Sequence, residues 1–534
     1  MSSASGTANR GAASTASAPP AGPAPLTGSV LWITAIALAL GTFMQVLDST
    51  IANVSVPTIA GNLGVSTSQG TWVITSFAVS NGISVPLTGW LMGRFGVVKV
   101  FLASVVMFTI ASFLCGISWN LDSLIAFRVL QGAVSGPMIP GSQALLMMIF
   151  PPHQRGTSLA IWSMTTLVAP IFGPILGGWI SDNMTWPWIF FINLPVGALC
   201  TFLCWRGLQG RETPTFQRSI DRTGFALLVV WVGALQIMLD TGKDVDWFAS
   251  PAIVVETVVA IVGFIAWVIW ELNDKSPMVD LSLFKTRNFA LGVLALCVGY
   301  AVFFGNNLLM PLWLQTQMGY IATWAGLVAA PSGLVAVIMT PFAARMLNKY
   351  DARILATVSM IFFALSFYMR SLYTAESSFL VLAAPMFVMG VAMSFFFISM
   401  VSISLNGVPP HQIPAASGLS NFARIVAGSF AASLATTFWD DMQAVLQTRN
   451  TEAMGGAGGG SNAVQQLLYQ LTHLGLSQQQ SASVLLRQVS TVSYLSAALD
   501  IFRLSAIVTL CLIPFIWLCK PTYAQKGAAP VAAD

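Results

Sequence analysis

Charge is what this sequence has least of. Only 8% of its 534 residues are Asp, Glu, Lys or Arg, whereas 56% are hydrophobic. A soluble globular domain carries about 25% charged residues, so this chain has too few charges to cover a surface that faces water. Apolar runs of roughly 20 residues, the length that spans a bilayer as a helix, recur from residue 30 to residue 519. The composition therefore predicts an all-α integral membrane protein that crosses the bilayer many times.

Histidine is scarce and the cysteines are not paired, which excludes the common metal and disulfide frameworks. The chain has three histidines and six cysteines, and the cysteines lie mostly inside apolar runs. The sequence contains no catalytic triad and no phosphate-binding loop. The net charge of +4 comes from scattered basic residues rather than from a basic stripe. We therefore expect no metal, no cofactor, no nucleic acid partner and no ATP-driven step.

A secretory signal peptide is missing as well. Residues 1–28 are rich in Ala, Ser, Gly and Pro, and Arg10 is their only charge. This composition predicts a disordered leader. Because the leader lacks a basic start and a short apolar core, we expect the first apolar run to remain in the membrane as an anchor.

About fourteen apolar segments are long enough to span a membrane. They lie near 30–56, 72–92, 98–118, 122–148, 157–181, 187–206, 223–240, 251–271, 289–316, 323–347, 353–372, 377–405, 414–437 and 499–519. Lys and Arg concentrate in alternate connections and at the C-terminus, so the positive-inside rule predicts that both termini are cytoplasmic. The predicted domains are a cytoplasmic leader 1–28, a six-helix bundle 29–207, two inserted helices with their connections 208–287, a six-helix bundle 288–520 and a cytoplasmic tail 521–534. The connection 438–498 is then on the outer side.

The chain also repeats itself at a distance close to 255 residues. "PPHQRGTS" (151–158) follows the fourth span and "PPHQIPAA" (409–416) follows the twelfth, while Pro86 and Pro341 fall late in the second and tenth spans. Each match moves eight spans along, which two six-span halves separated by an inserted pair explain. Two like bundles that face each other across a midplane cavity are typical of transporters.

Two charged residues inside predicted spans are candidates for function. Asp48 lies in "GTFMQVLDSTIANVSVPTIAG" (41–61), a stretch without a basic residue. Charged residues inside spans are rare and tend to mark ion or substrate pathways. A carboxylate in a low dielectric has its neutral form favoured, so Asp48 could take up a proton on one side and release it on the other. The alternative is that Asp48 caps a break in the first helix.

Five motifs carry a resemblance to a known family. They are "LDSTIANVSVP" (47–57), "GWLMGRFGVVK" (89–99), "LIAFRVLQG" (124–132), "APIFGPILGG" (169–178) and "WIFFINLPVG" (188–197). In this order the motifs resemble those of the fourteen-helix drug:proton antiporters of the major facilitator superfamily, and within them the EmrB-type multidrug efflux pumps. The resemblance covers essentially residues 30–520.

The resemblance implies a major facilitator fold of about 14 transmembrane helices (6 + 2 + 6) that works by alternating access. It implies a secondary active transporter, not an enzyme, that exports hydrophobic or amphipathic toxic compounds, antibiotics among them, at the expense of the proton motive force. Asp48 and Arg128 would couple the protons, with Arg128 modulating the carboxylate on the first span. The alternative for Arg128 is a clamp on neighbouring backbone carbonyls.

Further motif residues follow from the same resemblance. Gly173, Pro174, Gly177 and Gly178 form the antiporter motif of the fifth span, and Gly89, Arg94, Gly96 and Lys99 belong to the signature loop between spans two and three. The loop departs from the family pattern at Gly93, where an acidic residue is usual. The implied partners are an EmrA-like periplasmic adaptor protein and, through it, a TolC-like outer-membrane channel, with the chain in the bacterial inner membrane.

Residues that line the substrate cavity are predicted from polar and aromatic side chains on the central spans. The candidates are Gln45, Asn53, Gln131, Gln143, Phe304, Asn306, Asn307, Gln315, Asn421 and Arg424. For each of them packing between helices is the alternative. Arg424 either faces the cavity and binds an anionic group or snorkels to the membrane surface.

The outer connection combines "GGAGGGS" (455–461) with Leu, Val and Tyr at helical spacing. It predicts a pair of short amphipathic helices that dock the adaptor or cap the C-terminal bundle. Three functional alternatives stay open at this point: export of one dedicated metabolite or siderophore, coupling to sodium through Asp48 and its polar neighbours, and a membrane enzyme or sensor.

Overall fold

The computed structural model describes residues 25–65, 67–70, 72–215, 221–274, 277–455, 460–473 and 476–522. Those residues form α-helices, a few 3₁₀ turns and no strand. The first half contains α1 (Gly28–Leu63), α2 (Thr67–Gly70), α3 (Trp72–Ser84), α4 (Thr88–Phe95), α5 (Val97–Gly116), α6 (Leu121–Ser135), α7 (Met138–Ile149), α8 (Arg155–Asn183), α9 (Trp188–Phe191) and α10 (Asn193–Gly207). The inserted pair is α11 (Arg222–Thr241) and α12 (Pro251–Asn273).

The second half follows the inserted pair. It contains α13 (Arg287–Thr316), α14 (Ala322–Leu347), α15 (Ala352–Arg370), α16 (Phe379–Leu405), α17 (Ile413–Gly455), α18 (Gly460–His473) and α19 (Gln478–Trp517). Within each half the helices pack into one bundle, with α1 against α8 and α10, and α15 against α16 and α19. The inserted helices pack on each other, and α11 also contacts α3 and α17.

The described helices agree with the predicted membrane spans to within a few residues, apart from the last two. Ten stretches of helix in the described ranges are long and apolar enough to cross a membrane. The other four predicted spans correspond to the helical segments α3–α4, α6–α7, α8 and α17. The prediction of about fourteen spans is therefore consistent with the structure. Two of these four segments are interrupted, α3–α4 at Pro86 and α6–α7 at Gly136–Pro137, because proline lacks the N–H that a continuous helix needs.

Both described ends of the chain lie at the same end of the bundle, which we call the termini end. The Leu26 N–H donates to the Ile149 carbonyl at 2.9 Å, and the Ala352 N–H donates to the Thr522 carbonyl at 3.0 Å. A Cβ placed on Gly156 would lie 2.9 Å from the Ala344 carbonyl oxygen. The starts of α8 and α15 and the end of α14 are therefore all at the termini end.

The two halves meet closely at this end. A Cβ built on Gly89 would lie 2.8 Å from the Ala415 Cα, and one built on Gly418 would lie 3.2 Å from the Thr88 Cβ. The Asn421 amide donates to the Gln143 side-chain oxygen at 3.1 Å, which joins α17 to α7. Backbone contact at this distance is possible only because Gly89 has no side chain.

The prediction for the connection 438–498 was partly wrong. α17 does not end near residue 437 but continues to Gly455, and α19 already begins at Gln478. Residues 438–454 contain neither proline nor glycine, so nothing stops the helix, and a capping box at Ser477 and Gln480 starts α19. Of the two short helices that were predicted, only α18 is separate. The Trp439 indole donates to the Tyr494 carbonyl at 2.9 Å and holds the two long helices together.

Candidate functional site: a buried carboxylate behind a central cavity

Asp48 lies in the interior of the first half, on an unbroken helix. α1 runs from Gly28 to Leu63, and the Ser49 hydroxyl donates back to the Val46 carbonyl of the same helix. The Asp48 side chain is 1% exposed. The structure therefore shows no break in α1 that Asp48 could cap.

Three side chains donate to the Asp48 carboxylate. Arg128 Nη1 lies 2.6 Å from Oδ2, Asn193 Nδ2 lies 2.8 Å from Oδ1, and Gln131 Nε2 lies 3.1 Å from Oδ1. Arg128 and Gln131 come from α6 and Asn193 comes from α10, which packs against α1. A buried ion pair is tolerated when further hydrogen bonds satisfy the remaining lone pairs, and Asn193 and Gln131 do so here.

The Arg128 guanidinium combines the two roles that the sequence left open. Besides the ion pair, its Nε donates to the Val73 carbonyl at 2.9 Å, which is the backbone clamp. Its carbon atom Cζ lies 4.3 Å from the Phe77 ring centroid and 5.6 Å from that of Phe190, within the range of cation–π attraction. Its Nη2 has no protein acceptor.

Asn193 is a site residue that sequence reasoning did not single out. It is 1% exposed, and its amide also donates to the Ser112 hydroxyl at 2.9 Å, which fixes the orientation of the amide toward Asp48. The one available hint was an asparagine inside the apolar motif "WIFFINLPVG". A buried amide needs polar partners, but the sequence alone does not say which helix supplies them.

A cavity of about 270 Å³ separates the two halves in front of this centre. Polar and aromatic side chains from both halves line it: Gln45, Ser49, Thr50, Phe77, Asn81, Arg128, Thr166, Gln236, Tyr300, Phe303, Phe304, Asn307, Ser332, Phe397, Arg424 and Ser429. Four of the predicted substrate residues, Gln45, Phe304, Asn307 and Arg424, are among them. Asp48 itself does not line this cavity, but its ion-pair partner Arg128 does.

Several polar atoms at the cavity wall have no protein partner. They are Gln45 Oε1, Gln236 Nε2, Arg128 Nη2 and Arg424 Nε. Arg424 is 4% exposed, its Nη2 donates to the Asn421 side-chain oxygen at 3.1 Å, and its Cζ lies 4.7 Å from the Tyr300 ring centroid. Of the two alternatives for Arg424, the structure places it at the cavity. Unpaired polar atoms and aromatic faces together are what a site for amphipathic ligands requires.

Other predicted substrate residues lie elsewhere. Gln131 faces Asp48, Gln143 and Asn421 bond each other across the halves, and the Asn306 amide donates to the Ser505 hydroxyl at 2.8 Å. Gln315 is exposed, and its amide donates to the Pro311 carbonyl of its own helix. Gln131 therefore belongs to the Asp48 centre, and Gln315 lies on the surface of its helix. The other three amides, Gln143, Asn421 and Asn306, make hydrogen bonds between helices. The side chains of Asn53 and Pro174 lie outside the described residues.

The glycines of the antiporter motif bring α8 onto α1 beside Asp48. A Cβ on Gly173 would overlap the Thr50 hydroxyl oxygen, and one on Gly177 would lie 2.9 Å from the Ile51 carbonyl oxygen. A Cβ on Gly178 would meet no atom within 4 Å. Two of the glycines therefore set the distance between α8 and the stretch of α1 that carries the carboxylate.

The signature loop uses a carboxylate from elsewhere in the chain. The Glu212 side chain accepts from the Val98 and Lys99 N–H groups at 3.0 Å each, so it caps the start of α5. Gly96 has a φ of 95° and leaves no room for a Cβ against Glu212. The Arg94 guanidinium lies 5.7 Å from the Trp90 ring centroid. A Cβ on Gly93 would meet nothing within 4 Å.

Two helical halves around a cavity, with a buried carboxylate–arginine pair behind the wall, define a secondary transporter. The family model described as Major Facilitator Superfamily matches residues 38–432, and the chain belongs to that superfamily. Among solved structures, the fold is similar to the peptide transporter POT in complex with sulfate (TM-score 0.58, 13% identity, covering 93% of this chain and 98% of that one). It is also similar to the human organic anion transporter MFSD10 (TM-score 0.54, 13% identity, covering 91% and 98%).

Curated relatives narrow the group within the superfamily. The chain is 50% identical over 506 residues to "Multidrug export protein EmrB" of Escherichia coli K12, covering 94% of this chain and 98% of that protein. It is 48% identical to EmrB of Haemophilus influenzae, covering 94% and 98%. It is 45% identical to "Fatty acid resistance protein FarB" of Neisseria gonorrhoeae, covering 94% and 99%. The chain is thus a multi-pass membrane transporter of the EmrB group.

Proposed function

We propose that this protein exports hydrophobic and amphipathic toxic compounds in exchange for protons. The observation that carries the proposal is the Asp48–Arg128 pair at 2.6 Å, buried one side chain behind the wall of the central cavity. Arg128 belongs to both places, because it holds Asp48 with Nη1 and borders the cavity. A proton on Asp48 removes the charge partner of Arg128, so the state of the guanidinium at the cavity wall depends on whether Asp48 carries a proton.

The exchange follows from this shared residue. Exchange requires that the two halves reorient either with substrate in the cavity and the Asp48–Arg128 pair intact, or with a proton on Asp48 and no substrate. Arg128 can make these two forms exclusive, because it borders the cavity in the first form and loses its charge partner in the second. One pH unit across the membrane supplies about 1.4 kcal/mol, and a potential of 100 mV supplies about 2.3 kcal/mol for each charge that crosses. Either amount changes the ratio of the two states tenfold or more, so one proton is enough to drive export against a concentration gradient.

The cavity chemistry suits amphiphiles with an acidic or neutral polar group. Arg128 and Arg424 are the charged residues that line it in the described part of the chain, and the remaining wall combines aromatic rings with amides. The FarB relative is named for resistance to fatty acids, which have this character. At about 270 Å³ the cavity is slightly smaller than a pocket for a drug-sized ligand, about 300–1,000 Å³, so substrate enters another conformation of the cycle.

We also propose the sidedness and assembly that the sequence predicts. The termini end, where the halves are in contact, is cytoplasmic, so the structure corresponds to a state closed toward the cytoplasm in the bacterial inner membrane. The helical hairpin of α17, α18 and α19 then projects into the periplasm. It offers a docking surface for an EmrA-like adaptor, which would lead to a TolC-like outer-membrane channel.

Transport in proteoliposomes with a trapped pH dye tests the coupling. We would add a lipophilic weak acid and compare wild type with Asp48→Asn. Asp500→Asn is the matched control, because Asp500 forms an exposed ion pair with Arg503 at 3.1 Å. We expect substrate-dependent proton movement in wild type and in the control, and none in Asp48→Asn, with substrate binding retained. Equal proton movement in all three proteins would remove Asp48 from the coupling mechanism.

A further inference from the structure

The second half contains a counterpart of the Asp48 centre. Asp48 and its hydrogen-bond donor Asn193 correspond to Asn306 and Ser505, which also bond each other, at 2.8 Å. The separation is 258 residues from Asp48 to Asn306 and 312 residues from Asn193 to Ser505. The second separation is larger because the hairpin at the outer end of α17 and α19 is inserted between them. The two contacts therefore join residues at matching positions of the sequence repeat.

The aromatic neighbour of the centre is repeated too. Phe190, which lies under the Arg128 guanidinium, corresponds to Phe502 at the same separation of 312 residues. Phe502 also lies under a guanidinium, that of Arg370, whose Cζ is 5.9 Å from the ring centroid. Each half therefore holds one buried arginine over the equivalent phenylalanine.

The arginine of the second half comes from a different helix. The position that corresponds to Arg128, 258 residues on, is Met386. Arg370 reaches the site from α15, and its Nη2 lies 3.1 Å from the Met386 sulfur, a weak acceptor. A guanidinium thus lies beside the residue that corresponds to Arg128, whereas the residue that corresponds to Asp48 is the neutral Asn306.

Arg370 consequently has no counter-charge from the protein. It is 1% exposed, its Cζ lies 5.5 Å from the Phe367 ring centroid, and Nε and Nη1 have no acceptor. No salt bridge to Arg370 occurs among the described residues. Arg370 ends α15, and the negative end of that helix offsets only part of a unit charge. Burying an unpaired charge is costly enough that such groups are normally paired.

We propose that the second half binds a small monovalent anion, chloride in physiological solution, against Nε and Nη1 of Arg370. The anion supplies the charge that Asp48 supplies in the first half, so both buried guanidinium groups are neutralised. A monovalent ion suffices, since the other side chains at the site are uncharged. They are Phe367, Met386, Phe502 and Tyr373, whose hydroxyl donates to the Leu382 carbonyl at 2.7 Å. Arg370 lies two residues before the exposed Leu372, at the end of α15 opposite to the termini end.

Thermal unfolding of the purified full-length protein tests this site. At constant ionic strength, gluconate would be replaced by chloride. We expect Tm to rise with chloride and to saturate in wild type and in Asp48→Asn, and to stay constant in Arg370→Gln. Asn306→Asp places a carboxylate where the first half has one, and we expect it to abolish the chloride effect in a protein that still folds.

Bromide locates the site directly and does not depend on a folded variant. Crystals of the wild-type protein in bromide would show an anomalous peak beside the Arg370 guanidinium. A Tm of the wild-type protein that is insensitive to chloride, or a bromide map without a peak at Arg370, would overturn the proposal. So would a chloride effect of equal size in wild type and Asn306→Asp.

Discussion

Gly89→Ala is the substitution whose effect follows most directly from the geometry. The added Cβ would lie 2.8 Å from both the Cα and the Cβ of Ala415 in the opposite half. Carbon atoms in contact normally lie about 3.5–4.0 Å apart, so the two halves would have to separate by roughly 1 Å at the termini end. Overpacking of this kind costs about 1–3 kcal/mol.

The cost falls on one conformation only. Gly89 contacts Ala415 while the halves are together at the termini end, and the contact is lost when that end opens. Because 1.4 kcal/mol is a factor of ten in an equilibrium, Gly89→Ala should shift the ratio of closed to open conformers by roughly five- to 150-fold toward open. Gly93→Ala is the matched control, since its Cβ would meet nothing within 4 Å.

Distances between spin labels measure this shift. Labels at His153→Cys and Tyr350→Cys lie on exposed positions of the two halves at the termini end, in a protein whose exposed Cys511 is replaced by Ser. We expect Gly89→Ala to enlarge the long-distance population and Gly93→Ala to leave it as in wild type. Identical distance distributions for the two variants would refute the reasoning.

Two further predictions concern the Asp48 centre and the termini end. Asn193→Ala removes a hydrogen bond to a charged carboxylate, worth about 1.5–3 kcal/mol, so we expect the pH dependence of transport to shift. Asn307→Ala in the cavity wall is the control, which should change substrate affinity and leave the pH dependence of transport unchanged. At Asp351, partial burial raises the pKa, but hydrogen bonds from Arg353 and from backbone N–H groups outweigh it and lower the pKa below its ordinary value of 3.8. The stability from this contact is therefore present above pH 3.8 and is lost as the pH falls through the lower pKa of Asp351 in the folded protein. We expect Asp351→Asn to lack this loss of stability in acid. An acid unfolding curve identical to that of wild type would contradict the role given to Asp351.

Gly93 departs from the pattern that the family resemblance implies, and the structure shows what surrounds it. Its surroundings are open, and the start of α5 that the signature loop precedes is capped by Glu212 from the connection after α10. The carboxylate in this region is thus supplied from a distant part of the chain. Contact between the halves here is made by backbone at Gly89 and by the Gln143–Asn421 hydrogen bond rather than by a charge at position 93.

Much of the architecture was predictable because it depends on local properties of the chain. The length and apolarity of each span, the breaks at proline and the two repeated halves are readable from the order of residues, since a helix in lipid must satisfy its own backbone. Asp48 and Arg128 could be singled out for a similar reason, because a charge within an apolar run is conspicuous whatever it contacts. The ends of α17 and α19 away from the termini end were misplaced because the polar extension of a helix beyond its apolar span has no such constraint on its length.

Only the tertiary structure decided which polar residues meet. Asn193, Gln131, Gln143 and Asn306 all sit as neutral amides on apolar helices, and their sequence context is nearly the same. Packing assigns two of them to the carboxylate, one to the contact between the halves and one to the second half. The physical reason is that a buried amide takes its partner from another helix, and helix rotation and depth are set by the whole bundle. The sequence by itself determined the spans, the repeat and the two charges within them; packing of distant helices determined the hydrogen-bonded centre, the cavity wall and the unpaired Arg370.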